Sequence, residues 1–198
     1  MSSEAVKCVV VGDHGVGKTS LITTYATNRF PDNQYVSGVF DGTPSVKTVF
    51  GNMAIDLALW DTAGQEEYDR LRPLAYPETD VFLICFSVTS PASYANVRTR
   101  WYPELIHHCP YVPVLLVGTM TDLRSADDDT DDGQSELTIS TEQGKRLARE
   151  IRAFMYLECS AKAQEGLQDL FHEAVRAALT NGKSGSDNQE TKKTCSLF

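Results

Sequence analysis

Two stretches of the chain, Val81–Phe86 and Val112–Val117, are almost continuously apolar, whereas Ile55–Trp60 alternates apolar and polar positions. Continuous short runs suit strands covered on both faces, as in a central parallel sheet, and alternation suits a strand with one more open face. Further strand-like runs stand at Val6–Val11, Val46–Phe50 and Phe154–Cys159, and the Val81 run extends to Ser87. Helical patterns fill the intervals at Gly17–Asn28, Ala92–His107, Ser140–Arg152 and Leu167–Leu179, with a shorter stretch near Glu66–Ala75. Ser140 followed by Gln143 is a capping-box pattern, and Ser90 or Ser93 beside Pro91 marks another helix start. Strands and helices alternating at spacings that suit right-handed crossovers predict a doubly wound α/β domain.

Composition narrows the function. The 198 residues and 41% apolar content suit one domain with a sizeable core. A formal charge of −9 argues against broad nucleic-acid binding, which depends on Lys and Arg neutralising phosphates. Of the five cysteines, Cys8, Cys85, Cys109 and Cys159 sit in or beside apolar runs without C-x-x-C spacing, so they read as buried thiols in a reducing compartment. No apolar run reaches the ~18 residues that span a bilayer and no N-terminal targeting stretch is visible, which leaves peripheral or lipid-mediated membrane association. The aspartates at 127–129, 131 and 132 repel one another and read as a solvated loop. Polar residues dominate from Asn181, so the chain divides into a domain at 1–180 and a flexible tail at 181–198.

Four motifs carry chemistry. Directly after the first apolar run, Gly12-Asp13-His14-Gly15-Val16-Gly17-Lys18-Thr19 matches G-x-x-x-x-G-K-[ST]. A strand ending in such a loop and re-entering a helix points backbone N–H groups at a polyphosphate; Lys18 reaches its β and γ oxygens, and the Thr19 hydroxyl ligates Mg²⁺. Asp13, His14, Gly15, Val16, Gly17, Lys18, Thr19 and Ser20 are therefore candidate nucleotide-binding residues. After Trp60 come Asp61-Thr62-Ala63-Gly64-Gln65-Glu66, where Asp61 can hold Mg²⁺ through water, Gly64 can offer an N–H to a γ-phosphate, and Gln65 can orient attacking water. Thr119-Met120-Thr121-Asp122 follows the apolar strand that ends near Gly118; the Asp122 carboxylate can accept from guanine N1–H and N2–H₂, a pair adenine lacks. Ser160-Ala161-Lys162 would close that pocket, with the Ala161 N–H meeting O6 and the Lys162 stem covering the ring.

Together these motifs make the chain resemble a Ras-superfamily small GTPase, more narrowly the Rho/Rac branch, over Val6 to Leu179 and the last four residues. The closest segments are Lys7–Asp13, Asp61–Leu74 and Glu158–Lys162. The resemblance implies a P-loop small-GTPase fold with a six-stranded, mostly parallel sheet, GTP and GDP as ligands, and Mg²⁺ as cofactor. It implies catalytic roles for Gln65 and Lys18, Phe30 packing on guanine, Tyr35 lying over the phosphates, and Asp69-Arg70-Leu71-Arg72-Pro73 belonging to the second switch. Implied partners are exchange factors, GTPase-activating proteins, a dissociation inhibitor and effectors that read the switches. Cys195-Ser196-Leu197-Phe198 fits a C-a-a-X signal with X = Phe, which favours geranylgeranylation of Cys195, trimming and methylation. The expected location is the cytoplasm, with partition to the inner face of the plasma membrane or another cytosolic membrane surface.

Departures from the family pattern qualify the mechanism. His14 stands where a glycine is usual, and an imidazole there crowds the γ-phosphate and Gln65. Gly38 takes the place of the first-switch threonine and offers no hydroxyl; Ser37 would substitute after a one-residue shift, for which Pro31–Tyr35, one residue longer than the usual family stretch, leaves room. Met120 replaces a long polar residue, and the acidic loop lies where the branch carries an inserted helix. Two readings stay open: a switch that hydrolyses GTP slowly, and an interaction module that holds nucleotide mainly as a structural ligand.

Overall fold

The computed structural model describes residues 3–31, 44–124 and 138–183. Six strands, β1 (Glu4–Gly12), β2 (Ser45–Phe50), β3 (Met53–Asp61), β4 (Val81–Ser87), β5 (Val114–Thr119) and β6 (Met155–Glu158), form one sheet in the order β2-β3-β1-β4-β5-β6. All neighbours pair parallel except β2 with β3, which is antiparallel. The predicted mostly parallel six-stranded α/β sheet is thus the one observed. β5 begins at Val114, two positions later than the apolar run, and continues through Gly118 and Thr119, which pair with Phe86 and Ser87.

Helices cover both faces of the sheet. One core packs α1 (Lys18–Thr27) and α5 (Leu167–Lys183) on Val6, Cys8, Leu57, Leu59 and Leu83. The other packs α2 (Pro91–Asn96), α3 (Tyr102–His108) and α4 (Thr141–Glu150) on Val9, Val11, Phe82, Ile84 and Leu116. Every β4 residue is buried, while Ile55, Leu57 and Leu59 on β3 are buried with less buried neighbours between them, as their patterns require.

Local signals act where they stand. Ser90 caps α2 by accepting from the Ser93 amide, with Pro91 in the first turn. Ser140 accepts from Gln143 N at 3.3 Å while Gln143 Oε1 accepts from Ser140 N at 2.8 Å, completing the capping box of α4. The expected helix at Ala92–His107 is interrupted by a π-helical turn over Val97–Trp101. The short stretch near Glu66–Ala75 resolves into two 3₁₀ turns, Glu66–Tyr68 and Arg72–Ala75. α5 runs to Lys183, past the expected end at Leu179 and past the start of the predicted tail, and Asn181 Nδ2 donates to Tyr111 O at 2.7 Å. Cys8, Cys85 and Cys159 are buried free thiols, as expected, and Cys109 is buried as well. Among the described residues no helix is long and apolar enough to cross a membrane.

Candidate functional site

The carboxyl ends of β1, β3 and β5 and the loop after β6 meet at one edge of the sheet, so motifs far apart in sequence become neighbours there. Gly12 ends β1 under Cys85 O of β4, where an added Cβ would lie 2.2 Å from that oxygen. The loop then turns through Gly15 and Gly17, both at positive φ (82° and 86°), and enters α1 at Lys18. Val16 is buried beneath the turn, and His14 and Gly15 are exposed at its lip.

Lys18 is 6% exposed and donates from Nζ to the carbonyls of Gly12 and Asp13, each at 2.8 Å. Burial pulls its pKa down, and Asp61 is the main group pulling it back. The Thr19 hydroxyl donates to Oδ2 of Asp61 at the end of β3. Asp61 Oδ1 is buried with no hydrogen-bond partner. Burial raises the Asp61 pKa, opposed by Thr19, Lys18 and the Thr62 amide.

A buried carboxylate oxygen with no donor beside a hydroxyl is the chemistry of a hard-cation site, and Thr19 with Asp61 fits Mg²⁺ on that ground. Among the described residues no group of three or more His, Cys, Asp or Glu side chains could hold a metal. Phosphate and water oxygens, the usual company of Mg²⁺, suit the remaining positions.

Gly64 packs against this loop. A Cβ built on it would lie 2.5 Å from both Gly12 O and His14 N, so only glycine allows this approach. Gln65, next in the chain, is exposed and opens the first 3₁₀ turn.

Beside the loop lies a cavity of about 350 Å³ lined by Gly17, Ser20, Leu21, Phe30, Thr119, Met120, Asp122, Leu123, Cys159, Ala161 and Lys162. Apolar walls with a few polar groups at one end suit a flat heteroaromatic ring. Ser160, fully buried, donates to Asp122 Oδ1 at 2.5 Å. Met120 adopts a left-handed backbone (φ 61°), and its Cε would sit 3.3 Å from a Cβ on Gly17, so its thioether spans from the cavity to the glycine-containing loop. Burial pushes the Cys159 thiol up to about 12, which makes it a wall and not a nucleophile.

Two candidates make side-chain contacts beyond the roles expected of them. Asp13 directs its carboxylate away from the loop's mouth: Oδ1 accepts from Trp101 Nε1 and Oδ2 from Asn96 Nδ2, each at 2.7 Å. The Thr119 hydroxyl lies 2.7 Å from Val16 O and 2.9 Å from Phe86 O, tying β5 to the loop as well as lining the cavity. Tyr35, Ser37, Gly38, the acidic stretch at 127–132 and Cys195 lie outside the described residues.

Sequence reasoning missed Asn96, Trp101 and Arg100 and gave Arg72 no role beyond the second switch. In an α-helix, residues five apart point about 140° apart, so Asn96 and Trp101 carry no periodic signal of a shared partner. The intervening π turn adds a residue to the turn and brings both to Asp13. A family model described as the Ras family matches residues 7–180.

Proposed function

The chain belongs to the Ras family and is a small GTPase nucleotide switch; from that premise we propose a Rho/Rac-type switch that binds GTP and GDP with Mg²⁺, hydrolyses GTP slowly and signals from a membrane surface. Asp122, Ala161 and Lys162 would hold guanine, with Phe30 on the ring. Lys18 would neutralise the β and γ oxygens. Gln65 would orient water for in-line attack on the γ-phosphorus. Thr19 and Asp61 would hold Mg²⁺, which would supply charge neutralisation on the phosphate oxygens.

The observation that carries the slow-hydrolysis reading is the fit of Gly64 against His14 N. An imidazole rooted on the residue that Gly64 abuts competes for the space that Gln65 and its water need. Tyr68, Leu71 and Leu74 are 40%, 58% and 63% exposed, an apolar surface beside Gln65 that suits effectors and exchange factors. Prenylation of Cys195, a dissociation inhibitor that covers the lipid, and an activating protein complete the proposal.

Single-turnover hydrolysis of bound GTP, with and without a Rho-branch activating protein, tests it. Wild-type turnover should be slow and His14→Gly faster. Equal rates would move the cause to Gly38. No turnover by either protein under any condition would favour an interaction module that keeps nucleotide as a structural ligand.

A further inference from the structure

Trp101 is fully buried at the end of the π turn, yet its ring is not simply core. Its indole N–H is given to Asp13, whose other carboxylate oxygen is taken by Asn96, so both oxygens of this loop aspartate are held by one helical run. Two guanidinium groups lie over the same ring, Arg72 at 4.5 Å and Arg100 at 4.6 Å from its centroid. Arg72 donates to Ala63 O at 3.0 Å and Arg100 to Gly64 O at 3.4 Å, the two carbonyls just before Gln65. Glu104 accepts two bonds from Arg72 (2.9 and 2.8 Å), and Asp69 accepts from both arginines at 2.6 Å, so each cation is locked over the ring by a carboxylate. The contacts close on themselves, because Gly64 packs on the backbone of Asp13, 2.6 Å from its carbonyl carbon to a Cβ placed on Gly64.

We infer that Trp101 is a positioning residue that ties the phosphate loop, through Asp13, to the backbone that carries Gln65. The chemistry sets the requirement. A phenylalanine would fill the core but could not hold Asp13, and an aliphatic residue would offer no π face to two cations that would otherwise repel each other. The ring thereby fixes two carbonyls of one segment relative to one carboxylate of another, and displacing the loop by a fraction of an ångström at Asp13 displaces Gln65 as well. Such a ring of direct contacts is a physical route for coupling the two elements.

The inference rests on the hydrolysis reading for only one of its three readouts. GDP-loaded wild-type, Trp101→Phe, Arg100→Ala and Arg100→Lys proteins are compared by residue-resolved amide hydrogen exchange, release of a fluorescent GDP analogue, and single-turnover GTP hydrolysis. Exchange over residues 63–69 should rise at least about fivefold in Trp101→Phe and Arg100→Ala while the sheet amides stay protected. Hydrolysis should fall about tenfold, GDP release should change by less than about twofold, and Arg100→Lys should recover most of the loss. Arg100 is partly exposed, so its variants carry the test if Trp101→Phe does not fold. If wild type does not hydrolyse GTP, the functional reading fails and exchange alone decides the coupling. Unchanged exchange at 63–69, or a rise spread evenly over the domain, makes Trp101 core filler and overturns the inference.

Discussion

The Ser160 hydroxyl donates to Oδ1 of Asp122 at 2.5 Å, and the Ala163 amide donates to that same Ser160 oxygen at 2.9 Å. The serine's donor capacity is thus committed to the carboxylate before any ligand arrives, and the motif after β6 orients the motif after β5. A preset acceptor loses less entropy on binding than one that must be ordered by its ligand.

Asp122→Asn should therefore keep the Ser160 contact, through the amide oxygen, yet lose an acceptor for guanine. GTP and GDP affinity should drop about 10- to 100-fold, the value of one charge-assisted hydrogen bond, and xanthine nucleotides, with a 2-oxo group, should gain. Equilibrium titration with GTP, ATP and XTP checks this; equal wild-type affinity for ATP and GTP would remove the basis of the site.

Gly64→Ala tests the close approach at the phosphate loop. Its Cβ would sit 2.5 Å from Gly12 O and His14 N, both backbone atoms that cannot swing aside, so the segment bearing Gln65 must lift. GTP turnover should fall at least about tenfold while GDP affinity changes by a few-fold at most, because the base cavity is untouched. Turnover equal to wild type would show that the segment tolerates displacement.

Arg124 and Glu158 follow and precede Leu123 and Cys159, which line the cavity. Glu158 accepts two bonds from Arg124, both at 2.9 Å, and one from Tyr156 OH at 2.7 Å, while Arg124 also donates to Ile139 O at 2.7 Å. Burial works against the Glu158 carboxylate, but Arg124 and Tyr156 outweigh it and hold its pKa below the usual glutamate value. A depressed folded-state pKa contributes stability that is fully present above the unfolded value, about 4.3, and is lost as pH falls through the folded value. Glu158→Gln should cost about 1–3 kcal/mol at neutral pH, and the gap to wild type in thermal melts should narrow below about pH 4. A gap that widens on acidification would contradict the assignment.

Cys195 should be found geranylgeranylated and carboxymethylated, with Ser196, Leu197 and Phe198 removed, when the protein is isolated from a eukaryotic cell. One prenyl chain gives reversible anchoring, so the protein should partition between cytosol and membrane. Lys192 and Lys193 are partly offset by Glu190 and Asp187, so dependence on anionic lipid should be weak. Intact mass decides it: an unmodified cysteine with its three following residues attached rules the proposal out.

Where a signal is local, the sequence alone was enough. Runs of apolar residues placed the strands of the sheet, because burial on one or two faces imposes its own period. The glycines and Lys18-Thr19 announced a phosphate loop, and Ser140 with Gln143 announced a helix start, since each works through its immediate backbone. Asp61, Asp122 and Ser160 were legible because each stands just past a strand, and parallel strands deliver their carboxyl ends to one edge. Asp13 was read as a nucleotide-binding residue from its place in the loop motif, which says nothing of where its side chain goes. Its side chain is held by Asn96 and Trp101, 83 and 88 positions away. No periodicity encodes that pairing, because it depends on the sheet order that sets β1 beside β4 and on a π turn that breaks the helical period. The room for Gly64 and the stacking of Arg72 and Arg100 on one ring were likewise decided only by packing, where the distance between atoms, and not their spacing along the chain, determines which groups meet.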